Sequence, residues 1–257
     1  MRPLRVHLLP QLIAGDFLIG KRAVVIDVLR ATTVIVQTLG AGARVVVPCL
    51  SIDEARMRAA QLPTGEVVLG GERHGLAIEG FDLGNSPAEY MPQRVGGKTV
   101  VITTTNGTRA LLHCRQGIET VIAGFVNLSA VRAVLAEWPE VDVLCAGTDG
   151  EITREDVLVA GAIVEELAPR GPWQLNDAAA IARDAWLQVA TGGSAAGDRR
   201  SRLIEALRGS QGGRNLIAIG LTADIDFAAE IDRLPIVPSF DPASGQIVAQ
   251  APGRPGP

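Results

Sequence analysis

The chain has 257 residues, 47% of them hydrophobic but only 4% aromatic, with a formal net charge of −4 and a pI near 5.5. It has no lysine or arginine block to neutralise a nucleic-acid backbone, and no run of about 18 uncharged apolar residues to span a membrane. An aliphatic, small-residue core of this size suits buried parallel strands under helices, an α/β architecture with room for a smaller lobe.

Residues 1–19 mix Arg2, Arg5, His7 and Asp16 with Pro3 and Pro10, unlike the apolar stretch of a secretion signal, so a cytoplasmic protein is expected. Cys49, Cys114 and Cys145 are odd in number and far apart, which predicts buried free thiols rather than disulfides or a zinc site. Lys21 and Lys98 are the only lysines, so arginine carries the positive charge, and its planar fork suits phosphate and carboxylate.

In chain order, β-branched runs predict strands over 4–9, 23–27, 44–48, 67–69, 99–103, 120–123 and 141–146. Apolar spacing and start signals predict helices over 32–39, 52–61, 87–94, 108–114, 129–138 and 155–167. This alternation implies a mostly parallel sheet with flanking helices and right-handed crossovers, built from residues 1–170. From 171 to 215 we expect a helical lobe without strands: helices over 177–189 and 201–206 flank a flexible segment, 191–197, and a glycine-rich stretch, 209–213, follows. Residues 216–250 return to the main body, and 251–257 form a disordered tail.

In open α/β sheets ligands bind beyond the carboxyl ends of the strands. Asp27, Glu72, the run Thr103–Arg109 and Gly147-Thr148-Asp149 all follow apolar runs, and four polar strand ends on one edge would make one site. At the first, Arg30, Thr32 and backbone N–H groups could hold a phosphate; alternatively Thr32 or Thr33 caps the helix and Asp27 pairs with Arg30. At the third, Thr105, Asn106, Gly107 and Thr108 offer donors without bulk, or Thr105 or Asn106 is an ordinary cap. The connection from Gly70 to Pro87 is long and glycine-dense, as functional loops tend to be. Within it Ser86-Pro87 is a helix start and His74 is either a participant or a solvated loop residue. Glu151, Glu155 and Asp156 lie where a strand-end loop meets a helix. Thr153 to Asp156 fits a capping box, yet oxygen ligands near a phosphate are what Mg²⁺ requires.

At these residues the chain resembles the 2-phosphosulfolactate phosphatases. The likeness is carried by Asp27-x-x-Arg30-Ala31-Thr32-Thr33, the loop from Gly71-Glu72-Arg73 to Gly84-Asn85-Ser86-Pro87, and the turn Thr105-Asn106-Gly107-Thr108. Gly147-Thr148, Glu155-Asp156 and the late segment from Ala223-Asp224-Ile225 to Val237-Pro238 also look similar. The resemblance implies a Mg²⁺-dependent phosphatase that converts 2-phospho-3-sulfolactate to 3-sulfolactate and phosphate, on an α/β fold peculiar to the family. Our assignment makes Asp27 a metal ligand with Glu72 and Asp156 as partners, and Asp82 and Glu155 as weaker candidates. Arg30, Thr32, Asn85, Thr105, Asn106, Gly107, Thr108 and Thr148 bind substrate. Arg30 also counts among the catalytic residues with the three carboxylates.

The partner is then a small anionic phosphoester; a homodimer is compatible with the sequence without being fixed by it. Leu29 stands where aspartyl-phosphate enzymes carry a second Asp, which favours direct attack by water over a phosphorylated Asp27. A nucleotide-dependent oxidoreductase or transferase lacks its G-x-G-x-x-G turn here. A non-catalytic anion-binding module would bind phosphate esters without turnover.

Overall fold

A computed structural model describes residues 1–192 and 198–250, so the tail at 251–257 and most of the segment expected to be flexible lie outside the described residues. The strands are β1 (Arg2–His7), β2 (Arg22–Ile26), β3 (Val45–Pro48), β4 (Val67–Arg73), β5 (Leu76–Ala77), β6 (Thr99–Thr103), β7 (Glu119–Ala123), β8 (Val141–Cys145), β9 (Trp173–Leu175), β10 (Pro238–Asp241) and β11 (Gln246–Ala249). They form one sheet in the order β5-β4-β6-β3-β11-β10-β7-β2-β8-β1-β9. β4, β6 and β3 run parallel, as do β7, β2, β8, β1 and β9. The hairpin β10–β11 joins these two parallel blocks through antiparallel contacts with β7 and β3. The α/β class and mostly parallel sheet are as expected; the antiparallel splice is not legible beforehand, because it follows the last segment whose apolar pattern was distinctive.

The helices are α1 (Ala31–Gly40), α2 (Ile52–Ala60), α3 (Pro92–Val95), α4 (Gly107–His113), α5 (Leu128–Leu135), α6 (Arg154–Leu167), α7 (Asp177–Thr191), α8 (Arg199–Arg208), α9 (Gln211–Ala218) and α10 (Thr222–Ala228). Helix α1 is buried from Ala31 to Leu39, as a helix apolar on all sides must be. It packs on β3, β7, β10 and β11, and Val34, Ile35 and Val36 share a core with Val46, Val100, Ile122, Phe240 and Ile247. On the opposite face, residues of β1, β2, β7 and β8 share a second core with α5 to α10. All three cysteines are free and buried, and among the described residues no helix is long and apolar enough to cross a membrane.

Three expectations need correction. The region from 171 onward does contain a strand, since β9 pairs with β1 and extends the sheet; three residues are too short to show a period. The helix expected over 87–94 is a 3-10 turn, Pro87–Glu89, and the short α3. Between them Met91 is extended (φ −89°, ψ 156°), because Pro92 disfavours the helical region for the residue before it. The glycine-rich stretch at 209–213 is not a loop but the entry to α9, where the Ser210 hydroxyl accepts the Gly213 N–H at 3.1 Å.

Candidate active site

Asp27, Glu72, Thr104, Thr105, Asn106 and Thr148 line one cavity of about 310 Å³ beyond the strand ends. The convergence is not a property of strand order: β6 and β2 lie five positions apart in the sheet, about 24 Å if it were flat. The sheet must curl around α1 to close that gap. Gly107 marks the contact, because a Cβ there would meet Ala31 Cβ at 2.3 Å and Asp27 Oδ2 at 2.7 Å. Only glycine lets α4 approach the end of β2 so closely.

Asp27 is buried (7% exposed) and its Oδ1 accepts the Ala31 N–H at 3.3 Å. Burial, and behind it the charges of Glu72 and Glu155, push this carboxyl up to about 7, against the pull of the Ala31 N–H and Arg30. Asp156 lies beneath it. Its two oxygens accept the N–H groups of Val28 (2.9 Å) and Gly147 (3.0 Å), tying the loop after β2 to the loop after β8. Burial and then the Asp27 and Glu155 charges raise its pKa well above the usual range. Asp156 is buried behind the cavity wall rather than part of it, and its two hydrogen bonds position the loop that carries Asp27. Thr153 makes no side-chain cap bond, so the capping box is not formed.

Arg30 does not pair with Asp27. Its Nη1 donates to Asp224 Oδ2 at 2.8 Å and its Nη2 to the Gly75 carbonyl at 2.8 Å, leaving three of five guanidinium N–H groups for a ligand. The Ser86 hydroxyl donates to the other Asp224 oxygen at 2.6 Å. This buried tie joins α1, the β4–β5 turn, the loop before Pro87 and α10. Asp224 and Ser86 were not read as site residues; their signal lay in the late and middle segments of the family likeness, not in local chemistry.

Glu72 lies within β4, which runs four residues past its expected end. Its carboxylate accepts Gly75 N–H (2.8 Å), Thr105 N–H (2.6 Å) and the Thr105 hydroxyl (3.2 Å). Thr105 therefore gives both its donors to Glu72 while still lining the cavity. Thr108 is likewise occupied: its hydroxyl bonds the Thr104 backbone, and the Thr104 hydroxyl accepts the Thr108 N–H. Asn106 stands at the N-cap of α4 without a side-chain cap bond, and the Thr104 hydroxyl takes the Thr108 N–H instead. Thr32 accepts the Asp27 N–H at 3.2 Å and does not line the cavity. Asp82 is exposed and its carboxylate accepts the Leu69 N–H at 2.8 Å, holding the loop against β4 away from the cavity.

Two amides remain for a ligand. Asn85 is 5% exposed, lines the cavity, and its Oδ1 has no partner among the described residues. Asn106 accepts the Asp149 N–H through Oδ1, which leaves its NH₂ free. Exposed His74 also lines the cavity. The rest of the wall comes from Leu216, Ala218 and Ile219 in and after α9, an element that sequence reasoning missed because Gly212 and Gly213 mask its Ser210 start. Glu155 is 1% exposed; Oε1 accepts the Gly212 N–H at 2.9 Å, and Oε2 has no partner among the described residues.

The model of the 2-phosphosulpholactate phosphatase family matches residues 7–242. A probable 2-phosphosulfolactate phosphatase of Symbiobacterium thermophilum is 42% identical over 237 residues, 91% of this chain and 96% of that relative. Proteins of the same description from Pseudothermotoga lettingae (42%, covering 89% and 92%) and Deinococcus radiodurans (40%, covering 93% of each) agree. The chain belongs to the 2-phosphosulpholactate phosphatase family. As a member it is an enzyme, a phosphoric monoester hydrolase, and the cavity is its candidate active site. Among the described residues no three His, Cys, Asp or Glu side chains form a metal-holding group. Mg²⁺ needs fewer, keeping waters and substrate oxygens beside one or two carboxylates. The cavity walls supply three, Asp27, Glu72 and Asp149, and of these Asp27 sits among the like charges of Glu72 and Glu155 that a cation would relieve.

Proposed function

We propose that this phosphatase hydrolyses 2-phospho-3-sulfolactate to 3-sulfolactate and phosphate, with Mg²⁺ held by Asp27 and Glu72. The observation that carries the reading is Asp27 beside Arg30 in a cavity that also offers the Asn85 and Asn106 amides. Bound Mg²⁺ would neutralise charge on the phosphoryl oxygens. Arg30 takes non-bridging oxygens with its remaining N–H groups, and its tie to Asp224 fixes the direction of the fork. The Asn106 NH₂ completes the cradle at no cost in charge, while the unpartnered Asn85 Oδ1, an acceptor, suits a proton donor such as the attacking water. Water attacks phosphorus, a bond to the water oxygen forms, the ester P–O bond breaks, and the released alcohol oxygen gains a proton. Preorganised donors aimed at the phosphoryl group make electrostatic positioning the main source of rate. Asp156 holds Asp27 in place from below. A small, multiply anionic solute as substrate fits a cytoplasmic enzyme.

The test is phosphate release from racemic 2-phospho-3-sulfolactate with Mg²⁺ or with EDTA, for the native protein and Asp27→Ala. Metal-dependent release that Asp27→Ala abolishes is the expected result; trapping of a phosphorylated Asp27 would overturn direct attack by water. A folded, metal-supplied protein that binds the ester without releasing phosphate would be an anion-binding module.

A further inference from the structure

Beside the active site two further cavities, of about 710 and 360 Å³, share Gly15, Arg109 and His113. The larger meets the active-site cavity at Asn106 and Asp149, which line both. Together they form a groove along α4 with three basic side chains, Arg109, His113 and Arg115, and one acid, Asp149. The side chains of Arg109 and Arg115 have no hydrogen bond or ion pair among the described residues, and the His113 Nε2 is buried without a partner. Arginines that hold the fold together have partners: Arg30 has Asp224, Arg183 has Glu165 and Arg208 has Asp226, and Arg2 has the Ala136 and Trp138 carbonyls. A third cavity, around Arg154 and Arg214, also opens beside Thr148, but Asp149 and Glu151 face it with matching negative charge.

Asn106 is the N-cap of α4 and Arg109 follows it by three residues, so the two side chains leave neighbouring positions of the first turn, about 5–6 Å apart at Cβ. If Asn106 holds a phosphoryl oxygen, Arg109 is placed for an anion only a few bonds from phosphorus. In 2-phospho-3-sulfolactate an ester oxygen and two carbons separate phosphorus from sulfur. We propose that Arg109 is a specificity residue that binds the sulfonate of the substrate, as distinct from its phosphate and its carboxylate, with His113 beside it and Arg115 attracting anions along the groove. This rests on the reading of Asn106 as a phosphate contact in a phosphosulfolactate phosphatase. Its content is separate: the groove selects phosphoesters that carry a second strong acid, and the catalytic cradle does not.

The experiment compares the Mg²⁺-supplied protein, Arg109→Gln and Arg154→Gln on 2-phospho-3-sulfolactate and on 2-phospholactate, which lacks only the sulfonate. Calorimetric binding of 3-sulfolactate and of lactate is measured alongside. Arg109 is exposed, so its variant should fold, which circular dichroism checks. For Arg109→Gln we expect KM for the sulfonated ester to rise about 10- to 100-fold, the size of one charge-assisted contact, with kcat within about threefold. On 2-phospholactate KM should change less than about twofold, and Arg109→Lys should recover part of the loss by restoring charge without the fork. Equal effects on both esters, no effect on either, or the selective defect appearing in Arg154→Gln instead would overturn the proposal. If no ester is turned over but 3-sulfolactate binding still depends on Arg109, the phosphatase reading fails and the subsite stands; normal turnover with binding indifferent to Arg109 gives the reverse.

Discussion

Asp27 shows what an active site costs a fold at a single residue. Its carboxyl is raised to about 7 by burial and by Glu72 and Glu155, whereas in the unfolded chain it titrates as an ordinary aspartate. Between those values the folded protein binds the extra proton, so the contribution of Asp27 to stability falls as pH rises through the window. Asparagine keeps an oxygen for the Ala31 N–H and removes the charge. Without added metal, Asp27→Asn is therefore expected to be more stable than the native protein at pH 8, on the order of 2–4 kcal/mol, with the gap closing by about pH 4. Urea midpoints across that range check it; a variant no more stable at pH 8 would mean that the carboxyl is not under strain. The same variant should lose at least about 100-fold in phosphate release, the usual exchange of stability for function.

At the scale of elements, α9 decides whether the cavity has a wall. It is seated by two close approaches: a Cβ on Gly213 would fall 1.9 Å from the Leu207 carbonyl oxygen of α8, and one on Gly212 2.3 Å from Glu155 Oε1 and 3.3 Å from Leu29 Cβ. Gly212→Ala should push α9 off α6, break the Gly212–Glu155 hydrogen bond and cost about 1–3 kcal/mol, together with activity, since Leu216 lines the cavity. Gly209→Ala, where a new Cβ meets nothing closer than the Glu205 carbonyl at 3.4 Å, should stay within about 0.5 kcal/mol of the native protein. Chemical denaturation of the pair separates close approach from helix propensity. The helices themselves were legible where apolar spacing was strong, as in α1, α2, α6 and α7. They were hidden where function put glycines at a start signal, as in α9, or where a proline split the run, as before α3.

For the whole molecule, two features bring distant parts of the chain to one place. The hairpin β10–β11 joins two parallel blocks, and the tie of Arg30, Asp224 and Ser86 locks α10 to the catalytic loops. Arg30 and Asp224 are both 4% exposed in their side chains, so removing one leaves the other charged and buried. Asp224→Ala should destabilise by about 3–5 kcal/mol. Arg30→Ala/Asp224→Ala should cost less than the sum of the single changes; strict additivity in thermal or urea unfolding would show that the two do not act as a unit.

The sequence by itself determined the α/β class, the parallel strands, the buried thiols and the identity of the polar strand ends, because these follow from local apolar period and from residues adjacent in the chain. It named Asp27, Arg30, Glu72, Asn85, Asn106 and Thr148, all of which reach the cavity. Only the tertiary structure decided which of the polar groups reach the cavity and which already have partners. Thr32, Thr105 and Thr108 are occupied by backbone or carboxylate partners, Asp156 is tied to two backbone N–H groups behind the wall, and Asp82 braces its own loop against β4. Hydrogen-bond capacity is finite, and whether a donor is already taken depends on neighbours that are remote in sequence. The same holds for the curl that closes five strand positions around α1. It arises from packing a helix buried on all sides against both halves of the sheet, and no local pattern encodes it.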